Sequence, residues 1–451
     1  MEKNLTSGSV RKNVIFFSLP YLFSYFLQTL YGMADLFIIG QFGGVEQTTA
    51  VSIGSQVMHM ITVMIVGLAM GATVIIARAV GAEDKKAASS TVGNTATFFM
   101  IMSVALSLVL LVFVRQIVSL MSTPQEARHG TFLYLAICIA GIPFITAYNI
   151  ISSIFRGLGD SKSPMYFIAV ACVANIVFDY IFIGAMKLGP AGAALGTTLS
   201  QAVSVMISLL VIIKRKLIFI KRSDFVLHRE IILPVLKIGF PVAMQDGFIQ
   251  ISFIVITIIA NRRGLSDAAA VGIVEKIMSF MFLVPSSMLS AVSAIASQNI
   301  GAKKYDRADS TLRFAAFLAT GFGLIAAVII QFTASGVVSL FTADSAVIIL
   351  GTQYLRGYIW DSFLGGIHFS FSGYFCALGK SGISFLHNLL SIVLVRVPGA
   401  YFMSKLFPHN LFPMGIATAC GSLLSVIVCV VAFLLLKRKM RHGKENHIGK
   451  F

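Results

Sequence analysis

About twelve times over, the sequence runs into an apolar stretch of roughly 20 residues, and this repetition constrains the fold more than any motif. The runs fall near 14–40, 48–77, 89–114, 130–155, 164–187, 191–213, 231–260, 268–297, 308–332, 345–374, 382–405 and 412–436. At about 1.5 Å per helical residue, each is long enough for a hydrocarbon core of about 30 Å. Several exceed that need, which predicts tilt, kinks or extension into water. Composition agrees: 57% of the 451 residues are hydrophobic and 12% charged, where a soluble domain has roughly 45–50% and 25%. Only helices or closed barrels satisfy the backbone in lipid. The ten-residue alternating strands of a barrel do not occur in the sequence. The expected fold is an all-α integral membrane protein of about 12 transmembrane helices.

The opening MEKNLTSGSVRKNVIFF has no small-residue cleavage site, so the first run reads as a retained helix rather than a signal peptide. An even number of spans puts both termini on one side. About 26 of the 35 Lys and Arg fall on that side, which makes it cytoplasmic. The expected location is the cell's inner or plasma membrane, multi-pass, with both termini cytoplasmic. The densest basic clusters are Lys214, Arg215, Lys216, Lys221 and Arg222, and then Lys437, Arg438, Lys439 and Arg441. They suit topology and anionic headgroups. A nucleic-acid partner would need a basic folded domain or a base-stacking platform, and the sequence offers neither.

The chain is written twice. AVSIGSQVMHM at 50–60 matches AVGIVEKIMSF at 270–280, ARAVGAEDKKAA at 77–88 matches SQNIGAKKYDRA at 297–308, and FRGLGDSKS at 155–163 matches FCALGKSGI at 375–383. The three pairs share one offset. Six helices per half is an even number, so the halves are parallel repeats, whose usual consequence is a substrate cavity between two bundles that rock. The expected organisation is a first lobe at 1–213, a cytoplasmic linker at 214–230, a second lobe at 231–440 and a cytoplasmic tail at 441–451.

Polar residues inside apolar runs are the candidates for function. Asp35, Asp179, Asp246, Glu275 and Asp361 would each cost about 2.5–3.5 kcal/mol at a helix centre. Gln28, Tyr31 and Asp35 form a stripe on the first helix. Asn175 and Asp179 share a face of the fifth, and Thr197 and Gln201 a face of the sixth. Carboxylate, amide and hydroxyl oxygens suit a hard cation; a desolvated carboxyl equally suits a proton. The bland alternative is helix-to-helix bonding at about 0.6 kcal/mol per bond. Glu275 reads either as an attractor of cationic ligands or as a structural ion pair with Lys276 or Arg396, and Arg396 as structural or cavity-lining. Asp84 and Asp160 fall in loops. Pro20, Pro241 and Pro285 permit kinks. The five Cys lie in apolar runs without CxxC spacing and read as packing residues. No GxxxxGK[ST], HExxH or GxSxG occurs, so neither ATP nor hydrolytic chemistry is suggested. No catalytic residue, enzyme activity or cofactor is expected.

Over nearly its whole length the chain resembles the MATE family, the multidrug and toxic compound extrusion transporters. The resemblance rests on QTLYGMADLFIIGQFG, GATVIIARAVGAEDKKAA, FRGLGDSKSPM followed by NIVFDYIFI, and AGAALGTTLSQ, in that order. It implies a V-shaped pair of lobes, alternating access, and antiport of amphipathic, mostly cationic organic compounds against Na⁺ or H⁺, by a monomer. One branch of the family has a first-half ion site whose positions map here onto Asp35, Asn175, Asp179 and Thr197, or Thr198 if the sixth-helix register slips. Beyond a possible Na⁺ there, no metal is implied. Another branch places a Glu near Ile249 and Gln250, where this chain has none, and Asp246 and Asp361 each lie about a turn from the branch's acidic positions. The candidate cavity residues are Gln28, Tyr31, Gln201, Gln250, Glu275 and Asp361. A flippase for a lipid-linked precursor, in a fold-related family, is the alternative function, and a non-transporting scaffold a third.

Overall fold

The computed structural model describes residues 4–215 and 221–448. Lys216 of the basic linker cluster and the end of the expected tail, 449–451, lie outside the described residues, as do the side chains of Arg215 and Arg441. The described residues contain helices and no strand.

The first half consists of α1 (Val10–Phe42), α2 (Val45–Gly81), α3 (Lys85–Leu120), α4 (Arg128–Ala140 and Ile142–Gly157), α5 (Lys162–Asp179) and α6 (Gly189–Arg215). The second consists of α7 (Arg229–Asn261), α8 (Leu265–Met281 and Leu283–Gly301), α9 (Tyr305–Ser339), α10 (Ser345–Tyr358 and Trp360–Ala377), α11 (Ser381–Leu390 and Val397–Leu406) and α12 (Phe412–Ile448). Ten of these spans pass as single membrane-crossing helices by length and apolarity, and α4 passes as a bent pair. Eleven of the twelve expected runs thus coincide with a span that passes; the run at 345–374 folds as the two helices of α10, broken at Ile359, and passes neither way.

Local chemistry sets the ends and the breaks. Asp84 caps α3 by accepting from the Ala87 amide at 2.9 Å, and Asp344 caps α10 by accepting from the Ala346 amide at 2.8 Å. The α4 segments meet at 47°, where Pro143 follows Gly141 and has no N–H to give. Pro285 sits in the first turn of the second α8 segment, just after the one-residue interruption at Phe282, within a stretch that passes as one helix. Pro20 and Pro241 lie inside α1 and α7. Tyr180–Ala185 extends α5 as a π-helical turn, and Ser391–Arg396 does the same within α11. Leu108, Val112, Phe317 and Phe332 are exposed, as lipid-facing side chains are.

The internal repeat reaches the backbone. Glu83 and Lys303, equivalent in the two halves, both sit at φ 59° in the turn after the second helix of each half. The flanking bonds correspond: Asp84 N–H donates to Ala79 C=O, and Lys304 N–H to Asn299 C=O. Gly159 and Gly379, also equivalent, take positive φ in the turn before the fifth helix. A left-handed non-glycine residue is uncommon, so its recurrence at matched positions is a property of the repeat.

By contacts, the protein divides into two compact units: residues up to Ala243 with Ala294–Ala308, and Met244–Ser293 with the residues from Asp309 onward. Within the first, Ile38, Val51, Leu135 and Ile139 belong to one buried cluster, and Ile76, Phe99 and Ile154 to another. Within the second, Val271, Val274, Tyr354 and Met414 are part of the buried core.

Candidate functional site

Three helices of the first half bring their polar faces together. Asp35 of α1 is 3% exposed, and Asn175 and Asp179 of α5 are fully buried. The Thr197 hydroxyl of α6 donates to Asp35 Oδ2 at 2.9 Å. Asp179 and Asn175 lie against Asp35, but outside the geometry of a formed hydrogen bond, so Asp35 Oδ1 and the polar side-chain atoms of Asn175 and Asp179 have no partner among the described residues. No Lys or Arg of the described residues pairs with either carboxylate. The site is therefore two adjacent carboxylates, an amide and a hydroxyl, acidic and without a counter-charge.

The helices can approach this closely because of Gly196. A Cβ there would collide with Asp179 Oδ1, so a bare backbone at 196 is what lets α6 pass the carboxylate. Immediately after Asp179 the helix widens into its π turn, a distortion found frequently at functional sites. The register question at α6 has a clear outcome. Thr197 faces Asp35, whereas the Thr198 side chain lies beside Gly141 of α4.

The neighbouring stripe completes the surroundings. The Tyr31 hydroxyl donates to Thr197 C=O at 3.3 Å and lies near Gln201 and Ser200. Gln201 is buried, with its Oε1 unpartnered among the described residues. Gln28 neighbours Tyr148, not the carboxylates. Tyr134 and Cys138 stand beside the site on α4.

In the second half the expected residues do not converge into an equivalent acid cluster. Asp361 is fully buried, and Arg396 Nη1 stands 3.6 Å from its Oδ2. Arg396 also donates to the Tyr358 hydroxyl at 2.6 Å and lies over the Phe253 ring. Its ion-pair partner is thus Asp361, whose two carboxylate oxygens take no hydrogen bond among the described residues. Glu275 instead takes a weak bond from the Thr257 hydroxyl at 3.3 Å, while Lys276 is exposed. Asp246 and Gln250 are half-buried on α7. The loop carboxylates act as caps: Asp160 accepts from the Ser163 hydroxyl at 2.6 Å and the Lys162 amide at 3.0 Å. All five Cys are free thiols, four of them buried.

The sequence reading missed Gly196 and a pair of buried imidazoles. The His368 and His387 rings are 5.6 Å apart across α10 and α11, with Ser372 Oγ 2.9 Å from His387 Nε2. The only sequence signal for Gly196 was its place immediately before Thr197. The histidines had no signal, since each lies alone in its apolar run.

Against known proteins, the sequence model of the MatE family matches twice, over residues 20–181 and again over 241–402. The chain belongs to the MatE family. The two matches fall one on each half of the repeat. A relative named as the probable multidrug resistance protein YoeA of Bacillus subtilis (strain 168) is 28% identical over 404 residues, covering 88% of this chain and 87% of that protein. The multidrug export protein MepA of Staphylococcus saprophyticus is 23% identical over 437 residues, covering 96% and 95%. A crystal structure of MATE in complex with MaL6 matches with a TM-score of 0.90 at 23% identity, covering 98% of this chain and 99% of that one. An outward-facing multidrug resistance MATE family transporter of the MOP superfamily also matches at 0.90 and 23%, covering 98% of each. At such identities the structural likeness is one of fold. This MatE protein is a multi-pass membrane protein of a transporter family.

Proposed function

We propose that this MatE protein is a secondary antiporter that exports amphipathic, mostly cationic organic compounds in exchange for Na⁺ or H⁺ by alternating access. Residues 1–213 and 231–440 act as its lobes, and both termini face the cytoplasm of a cell-membrane monomer. The observation that carries the reading is the buried pair of Asp35 and Asp179, with Thr197 bonded to Asp35, Asn175 close by, and no Lys or Arg of the described residues paired with either carboxylate. Two adjacent buried carboxylates repel each other, and a cation or a proton between them relieves that repulsion. The donors are hard oxygens, which fit Na⁺, and either carboxylate can accept a proton. Asp35, Asn175, Asp179 and Thr197 hold the ion. Tyr31 and Gln201 extend the site along α1 and α6, with Gln28 further along the same stripe, and are its first-half candidates for meeting substrate; Gln250, Glu275 and Asp361 are the second half's own candidates. The names of the relatives support drug-like substrates.

The flippase alternative wants an open cationic surface for phosphates. Arg396, the best second-half candidate, is already neutralised by Asp361, which disfavours it. The test is dye efflux from vesicles under separately imposed Na⁺ and pH gradients, with Asp35→Asn alongside. One gradient should drive efflux in the parent, and the variant should lose at least about tenfold of it while still inserting. Undiminished gradient-driven efflux in Asp35→Asn would sink the reading.

A further inference from the structure

The segments that lead into α1 and α7 occupy equivalent places in the repeat, and each is gripped by the other half. Ahead of α1, the Leu5 amide donates to Gln298 Oε1 at 3.0 Å, Lys304 Nζ to Thr6 C=O at 3.0 Å, and Arg307 to the Gly8 and Ser7 carbonyls at 3.0 and 3.1 Å. Leu5 is 1% exposed. All of these grips come from the corner where α8 turns into α9. Ahead of α7, Ser90 Oγ donates to Asp224 Oδ1 at 2.9 Å, Asn94 Nδ2 to Asp224 C=O at 2.9 Å, and Thr97 Oγ1 to Phe225 C=O at 2.9 Å. The His228 amide donates back to Asn94 Oδ1 at 2.6 Å. These grips come from α3.

Beside the first of these segments, α2 and α8 end against each other, and α3, which holds the second, continues from α2. A Cβ on Gly81 would collide with the Gln298 carbonyl, and one on Gly301 with the Arg78 carbonyl. Gly81 and Gly301 are equivalent in the repeat, and so are Arg78 and Gln298. The contact is thus reciprocal: each helix end lays its glycine on the other's carbonyl.

We infer that the two leading segments are crossed straps that hold the ends of α2 and α8 shut on the cytoplasmic side, and that they release when that side opens. The inference rests on the antiport reading for the side and for the need to open. The first strap is held by hydrogen bonds to backbone carbonyls around one buried leucine, and a cavity of about 300 Å³ lined by Asn4, Thr6, Gly81 and Glu83 lies beside it. Such a contact can let go as a unit without unpacking a helix core. A crossed arrangement also couples the two: loosening either half's corner frees the segment that leads the other half.

Amide hydrogen exchange on the full chain in nanodiscs tests this. Lys304→Ala with Arg307→Ala should speed exchange at 76–81 and at 296–301 together, by at least about tenfold. A rise confined to residues 4–8, or none, would overturn the strap. If the double variant does not fold, Arg307→Lys, which loses the two-pronged grip but keeps the charge, should give at least about threefold at both ends, and unchanged exchange there overturns it equally. In vesicles, Thr6→Cys with Lys304→Cys in a Cys420→Ser background, bridged by a reducible bifunctional thiol reagent, should move dye at least about tenfold more slowly and recover on reduction. Full-rate transport by the bridged protein overturns the release step. If the unbridged parent moves no dye under any gradient, it is the antiport reading that fails, and the exchange result still decides the straps.

Discussion

Gly196 shows how a residue with no side chain can control a site. Any Cβ at 196 meets Asp179 Oδ1, so Gly196→Ala must either push α6 outward or turn the carboxylate away from Asp35. Ion-driven dye efflux should fall at least about tenfold in this variant, with insertion and monodispersity in detergent retained; efflux within twofold of the parent would show that the close approach is dispensable. Arg396 makes the complementary case. It stands buried against Asp361, and removing one member of a buried pair costs about 3–5 kcal/mol, whereas replacing both with apolar residues is often neutral. Thermal unfolding in detergent should therefore show Arg396→Met strongly destabilised, and Arg396→Met with Asp361→Leu restored most of the way. Helical spacing put Asn175 with Asp179 and Thr197 with Gln201 on single faces, and an acid in an apolar run made Asp35 conspicuous; grouping Asp35, Asn175, Asp179 and Thr197 across three helices came from the resemblance to the MATE family. Gly196, His368 and His387 could not be read from sequence. Their significance lies in which neighbouring helix they meet, and nothing along their own run records it.

The elements divide in the same way. Span positions followed from apolar length alone, since the bilayer sets that length. The break at Gly141 had its signal in Pro143, but the π turns after Asp179 and Leu390 had none, because they arise where a helix adjusts to its neighbours. The linker is the element whose behaviour is most directly testable. Asp224 is outside the membrane-spanning segments, and its carboxyl is held below the ordinary range first by the Lys221 amide, then by the Ser90 hydroxyl, with the Lys221 and Lys86 charges adding to the effect. A carboxyl depressed in the docked form favours docking while it is ionised. The contribution of Asp224 to docking is therefore complete above the ordinary value of about 3.9 and is lost as pH falls through the depressed one, while the backbone bonds to Asn94 and Thr97 remain. Exchange protection of 221–228 should be unchanged between pH 7 and pH 5 and should decline only at more acid pH. Asp224→Asn should lose at least about threefold of that protection already at pH 7. A parent whose protection fell between pH 7 and pH 5 would place the sensitivity in another group.

For the whole molecule, the repeat is faithful in its turns and unfaithful in its charges. Glu83 matches Lys303 and Gly159 matches Gly379 in backbone conformation, yet the buried acids differ in kind. The first half keeps Asp35 and Asp179 side by side with no Lys or Arg paired to them among the described residues, while in the second Arg396 stands at ion-pair distance from Asp361, without a hydrogen bond between them. A site that already carries its own counter-ion gains little from binding another, whereas an uncompensated pair changes charge balance each time a cation comes or goes. Duplication thus supplied two similar scaffolds, and on the antiport reading the adjacent acids of the first are the ones that carry the coupling ion. It follows that coupling should divide unequally between the halves. With Asp361→Leu and Arg396→Met together, the second half has no charge left in that pair, and efflux, slowed by the loss of a candidate substrate contact at Asp361, should keep the parent's ion dependence. With Asp179→Asn, the first half has one carboxylate left, and the dependence on the driving ion should collapse. Efflux measured in vesicles across a series of Na⁺ and pH gradients separates the two. Loss of ion dependence in the second-half variant, with the first-half variant still coupled, would reverse the assignment and place the coupling step at Arg396 and Asp361.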